Sequence, residues 1–143
     1  MRVAIVADDH KKELIVEFCI AYCGILAKYK VCATSKTARF VTEATGLSIE
    51  ELLAGDLGGM EQLISMVTYN EVDLLIFLRN TDYKSYATPE FNELLRMCDM
   101  YNIPVATNLA VAEVLVRALD NGDLDWREIM NERAGKSAKN RPL

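Results

Sequence analysis

The run VDLLIFL, Val72 to Leu78, decides the fold, because only its second residue, Asp73, is polar. A strand with one wet face alternates apolar and polar side chains, whereas an unbroken run of Leu, Ile and Phe suits a strand covered on both faces. RVAIVA, Arg2 to Ala7, reads the same way, and KVCAT (Lys30 to Thr34) and IPVATN (Ile103 to Asn108) are shorter runs of the same kind. LSIEELL, Leu47 to Leu53, has mixed apolar spacing and reads as an edge strand. Stretches of helical period separate these runs, at about Lys12–Lys28, Thr37–Thr45, Gly59–Tyr69, Pro89–Asn102 and Asn108–Asp120. Pro89 suits a first helical turn, where a missing N–H costs nothing. Strand-length and helix-length runs in alternation predict an α/β protein with a parallel sheet.

The chain's 143 residues make one ordinary domain. With 51% apolar and 26% charged residues it is expected to be globular. No apolar run reaches the ~18 residues needed to span a bilayer, so no membrane is expected as a partner. MRVAIVADDHKKEL turns acidic after a few apolar residues and lacks the pattern of a secretory signal. Cys19, Cys23, Cys32 and Cys98 sit in apolar surroundings without Cys-x-x-Cys spacing. They read as buried, reduced thiols of a cytoplasmic protein rather than as disulfides or a metal site. A net charge of −5, with basic residues gathered only in the tail ERAGKSAKNRPL, argues against nucleic acid.

In open α/β sheets ligands gather at the carboxyl ends of the strands, where loops lead into helix N-termini. Four polar clusters fall at such places: ADDHKK after the first strand, TSKT after the second, AGDLGG before the third helix and RNTDYKSY after VDLLIFL. Each alone has a local explanation. Thr34, Ser35 and Thr37 suit helix capping, Lys11 and Lys12 suit solvent, and Gly55, Gly58 and Gly59 suit a tight turn. Four clusters on one edge point instead to a site. Glycines let the backbone approach a ligand, hydroxyls donate, and lysine adds charge, a combination suited to phosphate. A small phosphorylated metabolite is the ligand class that follows.

VAIVADDHKKE, CATSKTARFVTEATGLSIEELLAGDLGGMEQL, DLLIFLRN and LLRMCDMYNIPVATNLAVAEVLV resemble the methylglyoxal synthase family from about Arg2 to Val116, in order and without large gaps. The resemblance implies a three-layer α/β sandwich with a five-stranded parallel sheet. It also implies a homo-oligomer, typically a hexamer, and conversion of dihydroxyacetone phosphate to methylglyoxal and phosphate with neither metal nor cofactor. Residues 1–120 are expected to form the methylglyoxal synthase-like domain, with residues 121–143 adding a C-terminal helix and a basic tail to the same domain. Lys12, Thr34, Thr37 and Gly55 match family residues that hold the substrate phosphate. Lys36 stands where the family commonly has threonine, and Ala54 where it has serine. Ser35, Gly58 and Gly59 complete the expected phosphate cradle.

The positions for proton transfer depart from the family. Its loop runs Gly-Pro-small-Gly-Gly-Asp and ends on the general base, whereas GDLGGM puts Asp56 in the proline's place and Met60 in the base's place. A thioether accepts no proton at neutral pH. A second family aspartate falls on Asn80, the family's histidine on Ala87, a further aspartate on Glu90, and the family's His-Asp pair on Asp8-Asp9. Losing one general base typically costs ~10²–10⁴ in rate, and groups that act together cost more.

Three readings follow. The chain binds a phosphorylated metabolite with the family's lyase chemistry lost or altered. Or it is an active methylglyoxal synthase using relocated carboxylates, with Asp9 and Glu90 the candidate catalytic residues and Asp8, Asp56 and Glu61 as further options. Or it is an oligomeric assembly module without a ligand. Two adjacent acids beside a phosphate site are able to hold a raised pKa by mutual repulsion, while a solvated loop or helix cap explains Asp8 and Asp9 equally simply. His10, the single histidine, lies beside the site, and Tyr83, Lys84 and Tyr86 give the loop after VDLLIFL a bulky, basic character suggestive of altered selection. Trp126 suits docking of a C-terminal helix. Arg133 and Arg141 lie nearest the family's C-terminal phosphate-binding arginine, but the tail does not align and neither is assigned that role.

Overall fold

The computed structural model describes residues 1–82 and 88–130. Tyr83, Lys84, Tyr86, Ala87 and the tail with Arg133 and Arg141 lie outside the described residues. Five parallel strands, β1 (Arg2–Ala7), β2 (Lys30–Ala33), β3 (Ile49–Glu51), β4 (Leu74–Leu78) and β5 (Val105–Ala106), form one sheet in the order β3-β2-β1-β4-β5. The helices α1 (Lys12–Ala21), α2 (Cys23–Leu26), α3 (Ser35–Thr45), α4 (Gly59–Thr68), α5 (Pro89–Met100) and α6 (Leu109–Asp120) accompany them.

The period of two along the central strands divides the core. Val3, Ile5, Leu74, Ile76 and Leu78 pack with residues of α1, α2, α3 and α6. Ala4, Val6, Leu75 and Phe77 pack with α4 and α5 on the opposite face. The result is a three-layer sandwich in which β4 is buried along its whole length. All four cysteines are free, and burial pushes the thiols of Cys19, Cys32 and Cys98 up to about 12.

The structure differs from the sequence reading at element ends. The stretch expected as one helix over Lys12–Lys28 breaks at Tyr22, whose φ of −107° and ψ of 19° are not helical. Gly24, a poor helix former, lies two residues on. Helix α3 begins two residues earlier than expected, with Thr34 at its N-cap. The edge strands β3 and β5 are shorter than their apolar runs, since each has a single hydrogen-bonded neighbour in the sheet. Pro89 does occupy the first turn of α5, behind a Thr88 cap whose hydroxyl accepts from the Phe91 N–H at 3.2 Å.

Candidate functional site

A cleft of about 650 Å³ opens at the carboxyl ends of the central strands. It is bounded by the chain leaving β1 (Ala7, Asp8, Asp9, Lys12), β2 (Thr34, Lys36) and β4 (Arg79, Asn80), by the loop before α4 (Ala54, Gly55, Asp56, Met60, Glu61) and by the start of α5 (Thr88, Glu90, Phe91). Hydrogen bonding aligns the β1 and β4 exits, because the Asp8 N–H donates to the Leu78 carbonyl at 2.8 Å.

The Lys12 ammonium donates to the Ala7 carbonyl at 2.5 Å and to the Thr37 hydroxyl at 2.6 Å. Thr37 is fully buried and absent from the cleft lining, and it meets the cleft only through its hydrogen bond to Lys12. Burial lowers the Lys12 pKa below its usual 10.5, with Lys36 adding repulsion while Asp9 and Asp8 oppose the fall. Lys36 faces Asp9 in an exposed ion pair of 3.4 Å.

Asp8 is a local cap: its carboxylate accepts from the His10 N–H at 3.0 Å and lies 2.9 Å from the His10 ring nitrogen Nδ1. Burial alone would raise the Asp8 pKa, but the His10 hydrogen bonds and charge, with Lys12, together hold it below 3.8. Asn80 reaches the same His10 ring at 3.5 Å and turns the chain by accepting from the Asp82 N–H at 2.9 Å.

The glycine loop works by shape. A short 3₁₀ turn at Gly55–Leu57 leads to Gly58 at φ 100°, and the Gly59 N–H closes back on the Ala54 carbonyl at 2.8 Å. A Cβ on Gly59 would lie 2.3 Å from the Leu53 carbonyl oxygen. Gly55 lines the cleft, whereas Gly58 and Gly59 fold the loop that places it. Ser35 turns away from the cleft and donates to Glu51 at 2.8 Å. None of Thr34, Ser35 and Thr37 caps α3 through its side chain.

Asp9, Asp56, Glu61 and Glu90 line the cleft as exposed carboxylates, and Met60 is a half-buried part of its wall. Sequence reasoning passed over Arg79, Phe77 and Phe91. The Arg79 guanidinium carbon lies 3.6 Å from the centroid of the Phe91 ring, which meets Phe77 edge-on at 4.8 Å. The available signal was the position of Arg79 as the first residue beyond a fully buried strand. Among the described residues, no group of three or more His, Cys, Asp or Glu is placed to hold a metal ion.

The MGS-like domain family matches residues 15–107, and a methylglyoxal synthase of Caldicellulosiruptor saccharolyticus is 50% identical over 137 residues, 96% of this chain and 97% of that protein. The chain belongs to the methylglyoxal synthase-like family. A methylglyoxal synthase of Brevibacillus brevis is 46% identical over 92% of this chain and 97% of its own length. The crystal structure of methylglyoxal synthase from Elizabethkingia anophelis NUHP1 superposes with a TM-score of 0.72 at 29% identity, over 80% of this chain and 76% of that one. The five-stranded, three-layer architecture is thus that of a methylglyoxal synthase-like protein.

Proposed function

We propose that this methylglyoxal synthase-like chain binds a small phosphorylated metabolite in the cleft and lacks the family's proton abstraction at position 60. The observation that carries the reading is the pairing of a fixed Lys12 with Met60 in one cleft. Thr34, Lys36 and Gly55 add a hydroxyl, a cation and exposed backbone for a phosphate, while the side chain at position 60 has no basic atom. A homo-oligomer, hexameric by resemblance, and a cytoplasmic setting belong to the same proposal. The exposed apolar Leu53 and Leu57 beside the glycine loop favour the oligomer.

A second reading has its own support. Asp9, Glu61 and Glu90 all line the cleft, so carboxylates are at hand for a relocated acid–base pair. One paired experiment separates the readings: phosphate release from dihydroxyacetone phosphate, alongside thermal stabilisation by inorganic phosphate and sugar phosphates. A ligand at 100 times its Kd adds about 2.7 kcal/mol, roughly 5–10 °C in Tm for a domain of this size. Stabilisation without turnover, lost in Lys12→Met, is the expected result. Turnover that disappears in Asp9→Asn or Glu90→Gln overturns it in favour of an active lyase. Neither turnover nor stabilisation leaves an assembly module without a ligand.

A further inference from the structure

The cleft has an apolar side that a phosphate does not use. Val6 and Phe77 are partners in the parallel pairing of β1 and β4, so their side chains share one face of the sheet, and both line the cleft, 7% and 8% exposed. Met60, in the first turn of α4, is half-buried and packs on the apolar cluster to which Val6 and Phe77 belong. Ala54 adds to the lining from the loop before it. Phe91 belongs to that cluster too, but Arg79 lies over its ring. The wall begins beside the phosphate-binding groups, since Ala54 precedes Gly55, and Val6 precedes Ala7, whose carbonyl holds Lys12.

Apart from Thr34, which belongs to the phosphate end, the neutral polar side chains of the lining are already engaged within the protein. The Thr88 hydroxyl accepts from the Phe91 N–H at 3.2 Å, and the Asn80 side-chain oxygen accepts from the Asp82 N–H at 2.9 Å. The Ala54 carbonyl accepts from the Gly59 and Leu57 N–H groups at 2.8 and 2.9 Å. Of the carboxylates, Asp8 is taken up by His10 and Asp9 pairs with Lys36, while Asp56, Glu61 and Glu90 are exposed to water. A ligand hydroxyl turned toward Met60 would give up its water with no partner in return, which costs affinity. A methylene there adds about fourfold in affinity when fully buried, and a methionine side chain adapts to the shape it meets.

Resting on the phosphate reading above, we infer that the ligand is a phosphate monoester of an alkyl alcohol, its unhydroxylated carbons held against Met60, rather than a polyol or sugar phosphate. Lys12 and Gly55 hold the phosphate, and the carbons next to it meet the apolar wall. Met60 is then the residue that sets the choice, because Val6 and Phe77 show the cleft only an edge.

The test is calorimetric. It compares propyl phosphate with glycerol 3-phosphate, which share a phosphate and a three-carbon chain and differ in two hydroxyls, and adds pentyl phosphate as a longer homologue. Propyl phosphate is expected to bind about tenfold more tightly than glycerol 3-phosphate, and pentyl phosphate about fourfold more tightly again. In Met60→Gln, which keeps the length of the side chain and makes it polar, the preference for propyl phosphate falls to about twofold, whereas Met60→Leu keeps it. Equal affinities in the unaltered protein, a preference for glycerol 3-phosphate, no gain from pentyl phosphate, or an alkyl preference undiminished in Met60→Gln overturns the inference while leaving the phosphate reading intact. Binding of none of these esters, nor of inorganic phosphate, overturns both. Should Met60→Gln fail to fold, Met60→Ala, which removes most of the apolar side chain, takes its place, and an undiminished preference there overturns the inference in the same way.

Discussion

Two of the three N–H bonds of the Lys12 ammonium are directed at protein oxygens, on Ala7 and Thr37, and that constraint fixes where a ligand must approach. Lys12→Met keeps the length of the side chain and removes its charge, so phosphate affinity is expected to fall at least tenfold, measured by calorimetry. The lysine also links to pH. Its pKa in the folded protein lies below 10.5, so between that value and 10.5 the unfolded chain holds more protons and stability rises with pH. Urea denaturation across that alkaline interval is expected to show the rise in the unaltered protein and a flatter profile in Lys12→Met. Met60 sets the opposite test. Met60→Asp returns a carboxylate to the cleft wall, and a general base is typically worth ~10²–10⁴ in rate. With Asn80 still unable to titrate, phosphate release from dihydroxyacetone phosphate about tenfold above the uncatalysed rate is expected. The residue types of this site were legible as clusters at strand ends, but their individual directions were not. Thr34 and Thr37 lie three apart, yet one lines the cleft and the other stands behind Lys12, while Ser35 reaches β3. That sorting depends on where α3 starts, and boundaries follow tertiary contacts that a single sequence does not display.

The element that shapes the cleft is the turn from Leu53 into α4. Gly59 sits where a Cβ would meet two backbone carbonyls, those of Leu53 and Ala54, at 2.3 and 2.8 Å. Backbone oxygens have no rotamer by which to move aside, so Gly59→Ala must displace the loop. A loss of about 2–4 kcal/mol is expected from strain of this kind, together with weaker phosphate binding, because the same loop carries Gly55. Chemical denaturation and the phosphate titration read the two effects separately. The long central elements were legible because their pattern is redundant: β4 is apolar at five successive positions and buried at all five. Shorter elements lack that redundancy. The break at Tyr22 interrupts a stretch whose apolar residues continue on both sides, and β5 is two residues of a longer apolar run.

At the scale of the whole molecule, the edge of the sheet opposite the cleft is closed by one buried arginine. Arg127, 2% exposed, donates to Asp73 at 3.2 Å, to the Asn102 carbonyl at 2.6 Å and to the Asn70 side chain at 2.9 Å. Asp73 in turn accepts from the Arg2 N–H at the start of β1 at 2.9 Å. This single side chain joins the segment after α6 to the entrances of β1 and β4 and to the end of α5. It also explains why Asp73 interrupts an otherwise apolar run. Removing one partner of a buried pair leaves the other uncompensated, a loss of about 3–5 kcal/mol. Arg127→Met is therefore expected to lower the urea midpoint by that equivalent. Arg127→Lys is expected to recover less than half, because an ammonium lacks the planar fork that reaches several oxygens at once. Phosphate affinity measured well below the midpoint is expected to stay unchanged in both variants, since Arg127 meets the strand entrances and the cleft lies at the strand exits. A parallel loss of affinity would mean that the two edges are coupled through β1 and β4, and that the C-terminal segment helps to set the site as well as the fold.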